Sequence, residues 1–100
     1  MYFIQYIEDN YNKDIYLETM AEQFNLSAKY VSSKFKEATG ENFTDYLNRY
    51  RIKVAKELLR STPLKVNQIS EQVGYNHVNV FIRQFKSLEG ITPKSYREIG

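Results

Sequence analysis

Cysteine is missing from this 100-residue chain, and histidine occurs once, at His77. The first absence excludes a disulfide framework, a thiolate metal site and a cysteine nucleophile. Together the two leave zinc almost no ligands, and no metal site is expected. No stretch of about 18 apolar residues exists, so no transmembrane helix is expected. The opening MYFIQYIEDNYNKD lacks the basic region and apolar core of a signal peptide. A cytoplasmic location without a membrane partner is therefore the expectation. Proline and glycine number two and four and fall only where helices would begin or end, so no linker is evident. Short alternating apolar runs, the mark of strands, are also absent. No nucleophile–base pair, paired carboxylates or phosphate-cradling glycine loop can be assembled. Neither catalysis nor a cofactor is expected.

What is present is helical periodicity. A chain of this length buries roughly 60–70% of its unfolded surface, enough for a cooperative fold without staples. Its net charge of +2 is unevenly spread. Residues 1–28 hold one basic and five acidic residues, giving −4, whereas residues 29–100 hold 13 basic and seven acidic, giving +6. A basic later surface suits a polyanionic partner, though many solvated helical faces look similar.

Residues 66–97 carry the most information. Ile69 and Val73 form an apolar stripe at i, i+4, and Gly74 supplies the left-handed conformation that ends a helix. Asn76 is placed to cap the next helix, which His77 opens. Phe81, Phe85 and Leu88 then recur at i, i+4, i+7, one buried helix face. Gly90 closes that helix, Thr92 caps a last one and Pro93 takes its first position. Two short helices across a tight turn suggest a helix-turn-helix.

The motif occurs twice. A shift of 49 places Met20, Glu22, Gln23 and Phe24 on Ile69, Glu71, Gln72 and Val73. A shift of 50 places Val31, Phe35, Lys36, Gly40 and Tyr46 on Phe81, Phe85, Lys86, Gly90 and Tyr96. The change of register falls in or just after the turn, where an extra residue is tolerated. Such a period asks for a two-fold architecture.

In order, Phe3, Ile4, Ile7 and Tyr11 space a first amphipathic helix, with Glu8 and Asp9 outward. Leu17, Met20, Ala21 and Phe24 give a second, and Asn25-Leu26 make its turn. Ser27 caps the third helix, with Val31, Phe35 and Ala38 inward. Asn42 caps a fourth over about residues 43–61, with Asp45 three residues on. Leu47, Tyr50, Val54, Leu58 and Leu59 would face the two halves it joins, leaving Arg49, Lys53, Lys56 and Arg60 wet. The expected fold is all-α, about seven helices, with halves at 1–42 and 62–100 and the linking helix at 43–61.

Opposite the apolar stripe of the third helix lie Lys29, Ser32, Ser33 and Lys36. Adding 50 gives Asn79, Ile82, Arg83 and Lys86 on the sixth. Equivalent faces on two helices are what insertion into successive major-groove segments requires. There Asn pairs with adenine, Arg or Lys with guanine, and an apolar side chain touches a thymine methyl. Ile82 has a partner in a groove, although isolated exposed apolar residues are also common. Arg83 and Lys36 fit groove or phosphate contact and also ordinary solvated charge. Phe35, Phe85, Tyr46 and Tyr96 belong to the buried stripes rather than to stacking platforms, which disfavours RNA. A helical protein-interaction module is the alternative of another class.

With these residues in place, the sequence resembles the DNA-binding domain of the AraC/XylS family of bacterial transcription regulators. The likeness runs over LETMAEQFNLSAKYVSSKFKEATGENFTDYLNRYRIKVAKELL and ISEQVGYNHVNVFIRQFKSLEGITPKSYR. The second stretch holds the family's signature: the Gly74-Tyr75 turn, Phe81 with Arg83, Phe85 and Lys86 after it, Gly90, then Thr92-Pro93 with Tyr96-Arg97. The resemblance implies seven helices, two helix-turn-helix halves and monomeric binding to two neighbouring major-groove segments of double-stranded DNA. It assigns base-reading positions to Lys29, Ser32, Ser33, Val78, Asn79, Ile82 and Arg83. Val80 stands where the family usually has an aromatic, and Ile82 where it more often has a small polar residue, so the target sequence is left open. Family members usually carry a sensing, dimerising or receiver domain and most often activate transcription with RNA polymerase. This chain is therefore expected to be part of a larger activator rather than one of the family's short stand-alone members, the more so as its first helix begins abruptly at Met1.

Overall fold

The structure is a computed structural model that describes residues 2–99. Met1, and with it the abrupt start of the first helix, lies outside the described residues. Among these residues there are seven helices and no strand: α1 (Tyr2–Asn10), α2 (Leu17–Gln23), α3 (Ala28–Thr39), α4 (Phe43–Ser61), α5 (Val66–Gln72), α6 (Val78–Glu89) and α7 (Pro93–Ile99). No helix among them is long and apolar enough to cross a membrane.

The internal repeat is visible down to single hydrogen bonds. α2 begins with the Tyr16 N–H donating to Thr19 Oγ1 at 2.7 Å, and α5 with the Lys65 N–H donating to Gln68 Oε1 at 2.8 Å. The helices end alike, with the Leu26 N–H on the Ala21 carbonyl at 2.9 Å and the Tyr75 N–H on the Ser70 carbonyl at 3.0 Å. The left-handed residue is Asn25 (φ 57°) in one half and Gly74 (φ 104°) in the other. α3 and α6 stop at left-handed Gly40 and Gly90, with φ of 82° and 83°. Ser27 Oγ accepts the Tyr30 N–H and caps α3. Asn42 Oδ1 accepts the Asp45 N–H and caps α4. Thr92 Oγ1 accepts the Ser95 N–H and caps α7 behind the buried Pro93.

Asn76 does not cap α6. His77 takes the N-cap, with extended backbone and no side-chain hydrogen bond. The shift of 50 had placed His77 opposite Ser27, so Asn76 is the inserted residue of the second turn. Its Nδ2 donates instead to Asp14 Oδ1 at 3.2 Å.

Two apolar clusters sit at either end of α4. The first joins Ile7, Ile15, Met20, Ala21, Val31 and Phe35 to Phe43 and Leu47. The second joins Ile69, Val73, Tyr75, Phe81 and Phe85 to Ile52, Ala55 and Leu59. One helix thus closes the first half with its first turns and opens the second with its last. Phe35, Phe81 and Phe85 are fully buried, each worth about 1.5–3 kcal/mol relative to exposure. The buried row of α4 runs through Arg51, Ile52, Ala55 and Leu59, while Tyr50, Val54 and Leu58 are only half-buried. Lys56 is half-buried and pairs with Glu89 at 3.0 Å, rather than standing free in water.

Ala38 and Leu88 also depart from expectation. Both are exposed, Leu88 by 46%. The inward row of each helix follows i, i+4 to Thr39 and to Glu89, both half-buried. Glu89 turns to Lys56 of α4 and Thr39 hydrogen-bonds the Phe35 carbonyl, so the i+7 position rotates into solvent.

Candidate nucleic-acid interface

α3 and α6 follow the two turns, and each is held by one buried stripe, so the opposite stripe faces outward. Lys29, Ser32, Ser33 and Lys36 are exposed on α3; Asn79, Arg83 and Lys86 are exposed on α6. Val78 and Ile82 are half-buried. Among the described residues none of Lys29, Lys36, Arg83 and Lys86 pairs with a carboxylate, whereas Arg49, Lys56 and Arg60 on α4 pair with Glu41, Glu89 and Glu57. The four cations on the outward stripes of α3 and α6 thus keep their charge available for phosphate, whereas Lys34, off the stripe on α3, pairs with Glu37 at 3.7 Å.

Ile82 differs from its expected role as a free apolar contact. It packs partly against the second cluster and floors a shallow apolar hollow with Val66, Thr92, Pro93 and Lys94. Lys94, missed in the sequence, stands at the rim of this hollow. Its counterpart by the 50-residue shift is Thr44, so the repeat gave no sign of it. Around Val78 the surface is polar, with Asn67, Glu71, Gly74 and Asn76.

Two arginines fix these parts: Arg97, part of the signature but given no role there, and Arg51, which the sequence left unremarked. Arg97 of α7 donates to the carbonyls of Leu59 (3.1 Å), Thr62 (3.1 Å) and Leu64 (2.6 Å), tying the last helix to the end of α4. Arg51 is 8% exposed. Its Nε donates to the Tyr11 carbonyl at 2.7 Å and its Nη2 to the Lys13 carbonyl at 2.9 Å. The guanidinium also lies 5.2 Å from the centre of the Tyr75 ring. Burial lowers its pKa from the ordinary value, opposed by Tyr75 and Asp14, yet a guanidinium stays charged. Burial raises the Tyr75 phenol to about 12, with Arg51 acting the other way, and its hydroxyl donates to Asn48 Oδ1 at 2.7 Å.

Two helix-turn-helix units with exposed, partly cationic second helices define a class, the helix-turn-helix DNA-binding domain. The helix-turn-helix domain family matches residues 20–99. The C-terminal domain of the two-component response regulator yesN from Fusobacterium nucleatum is 42% identical, with a TM-score of 0.93 over 96% of this chain and 94% of that one. The xylose operon regulatory protein of Escherichia coli (strain K12) is 30% identical over 96 residues, which cover 96% of this chain but only 24% of that protein. The DNA-binding domain of AdpA, solved with a target DNA, is 19% identical and shares the fold at a TM-score of 0.94 over 98% of this chain and 88% of that one. The chain belongs to the AraC/XylS family and is an AraC-type DNA-binding domain of the kind found in transcriptional regulators. It spans a third or less of the length of the similar curated regulators, 12% in one from Bacillus subtilis (strain 168) and 33% in another.

Proposed function

We propose that this domain reads a specific double-stranded DNA sequence with both halves, α3 and α6 entering successive major-groove segments on one face of the duplex. The observation that carries the reading is the pair of equivalent outward stripes with unpaired cations. The long dimension of 43 Å supports it, since one turn of B-DNA is about 34 Å. Asn79 and Arg83 are the base readers of the second half, with Val78 and Ile82 supplying apolar contact at the edge of the groove. Lys29, Ser32 and Ser33 form the first face, whose small side chains let the backbone approach closely but read few bases directly. Lys36 and Lys86, each one turn further along, meet phosphates. In this division residues 1–42 and 62–100 are the two readers and 43–61 their link. The full-length protein is a cytoplasmic activator whose dimerising or sensing domain lies elsewhere and which acts with RNA polymerase. No catalytic step or cofactor enters this reading.

The test is selection from a random duplex library at near-physiological salt. Two short enriched motifs about one helical turn apart are expected. A single motif would leave one reader, and none, even for a forced dimer, would favour a protein-interaction module. Salt dependence separates the same readings, because the log affinity of a groove binder falls with log salt at a slope of about −0.9 per phosphate neutralised.

A further inference from the structure

The two apolar clusters do not merge; Tyr11 is the residue half-buried against both. Were α4 the sole connection, each half could swing about the middle of one helix. A second attachment exists beside it. The loop that leaves α1 is docked on the turn of the second helix-turn-helix. Arg51 holds the Tyr11 and Lys13 carbonyls with one end of its fork and the Tyr75 ring with its face. Tyr75 is tied in turn to Asn48 of α4. Gly74 lies so close that a β-carbon there would be 2.6 Å from the Tyr11 carbonyl oxygen and 3.0 Å from Arg51 Nε. Asn76, the residue without a counterpart in the first half, reaches Asp14 at the rim.

We infer that Arg51 is a positioning residue that locks the first-half loop Tyr11–Asp14 onto the second turn Gly74–Asn76, fixing the angle and separation of the two reading helices before DNA is met. The guanidinium suits this task. It is planar, always charged and able to bind two carbonyls and stack on a ring at once. An apolar side chain of the same size would fill the space but leave two carbonyls unpaired and the loop free to slide. Because one base pair rotates a half-site by about 34° around the duplex, a rigid pair of readers admits one spacing between half-sites. The spacing consequence rests on the two-reader function proposed above; the rigidity does not.

The absence of native cysteine allows a clean measurement. Glu37→Cys and Ser87→Cys place spin labels on exposed, equivalent positions of α3 and α6. A single narrow distance is expected in the free domain, unchanged when selected operator DNA is added. Arg51→Met should broaden that distribution while each half keeps its helix content. A broad distribution in the Arg51 protein, or an unchanged narrow one in Arg51→Met, overturns the lock. Should Arg51→Met fail to fold, Arg51→Lys, which keeps stem and charge but not the fork, is read in the same way. In library selection the Arg51 protein should enrich one spacing, with a displacement of one base pair costing about tenfold or more, the scale of a mismatched pair. The variant should enrich the same two motifs at several spacings. Failure to find two motifs would count against the two-reader function, whereas two motifs at variable spacing with the Arg51 protein would count against the lock.

Discussion

The two halves share caps, turns and a buried stripe, yet the second is welded into the molecule and the first is left open. Leu26, which follows the first turn, is 39% exposed; Tyr75, which follows the second, is 7% exposed. Asn25 takes the left-handed position as an exposed residue, whereas Gly74 takes it with a carbonyl and a guanidinium against its face. The reading stripes diverge in the same sense. That of α3 is wholly exposed and built of lysine and serine; that of α6 mixes exposed Asn79 and Arg83 with half-buried Val78 and Ile82. A repeat dictates the backbone of both halves. What lies across from each turn decides how confined it is.

The sharpest way to break this comparison is at the left-handed residues. Gly74→Ala should destabilise by roughly 2–4 kcal/mol, because strain at positive φ adds to a clash with a carbonyl that cannot move away. Asn25→Ala, at the equivalent but exposed place, should cost only about 1 kcal/mol. Urea denaturation with an unchanged m-value checks both. Equal losses would mean that the second turn is no more confined than the first.

The reading stripes give the next contrast. Arg83→Ala is expected to weaken the selected site by about 1–3 kcal/mol and to relax preference at one base pair. Lys36→Ala should weaken all duplexes alike and reduce the salt slope by about 0.9. Titrations against the selected duplex and a scrambled one, at several salt concentrations, separate base reading from phosphate contact. A uniform loss for Arg83→Ala would make it a phosphate contact too.

How much of this was open to a sequence reading follows a physical line. Glycines, the Asn25 turn, Ser27, Asn42, Thr92 and the limits of α4 act on neighbours within four residues, and all were legible. So was the family, because its signature residues are the same local punctuation. The contacts of Arg51, and those of Arg97 although it stands in the signature, were not, since their partners are backbone carbonyls 33 to 40 residues away that any side chain could have carried. Asn76 was misread because its type suits a cap, although the repeat already set His77 against Ser27. Ala38 and Leu88 were misread because i, i+7 spacing describes a straight stripe, while packing on α4 follows the i, i+4 row. The proposed recognition positions rest on the outward direction of the two stripes and, for Val78, on the family resemblance.

The caps of the two reading helices offer a smaller test. Ser27→Ala removes the bond to the Tyr30 N–H and should cost about 1 kcal/mol. His77→Ala removes no cap bond and should fall within about 0.5 kcal/mol. His77→Ser, in the extended backbone an N-cap requires, should stabilise the second half by about 1 kcal/mol. Thermal melts of the three variants decide whether the second reading helix is held from its tertiary side rather than by its own first turn.

The smallest effect is silent at neutral pH. The Tyr75 phenol is raised to about 12 in the folded domain against about 10 in an unfolded chain. The folded state therefore holds a proton that the unfolded state gives up. Stability from this group is complete below pH 10 and is lost as pH rises from about 10 toward 12. Tyr75→Phe keeps the ring against Phe81 and Arg51 and loses only the bond to Asn48, so its stability should decline less steeply over that window. Leu26 has nothing to titrate, so Leu26→Phe should leave the alkaline slope of the Tyr75 protein unaltered. Equal slopes for the Tyr75 protein and Tyr75→Phe would mean that the phenol is already wet, and with it the face that Arg51 packs against in the second turn.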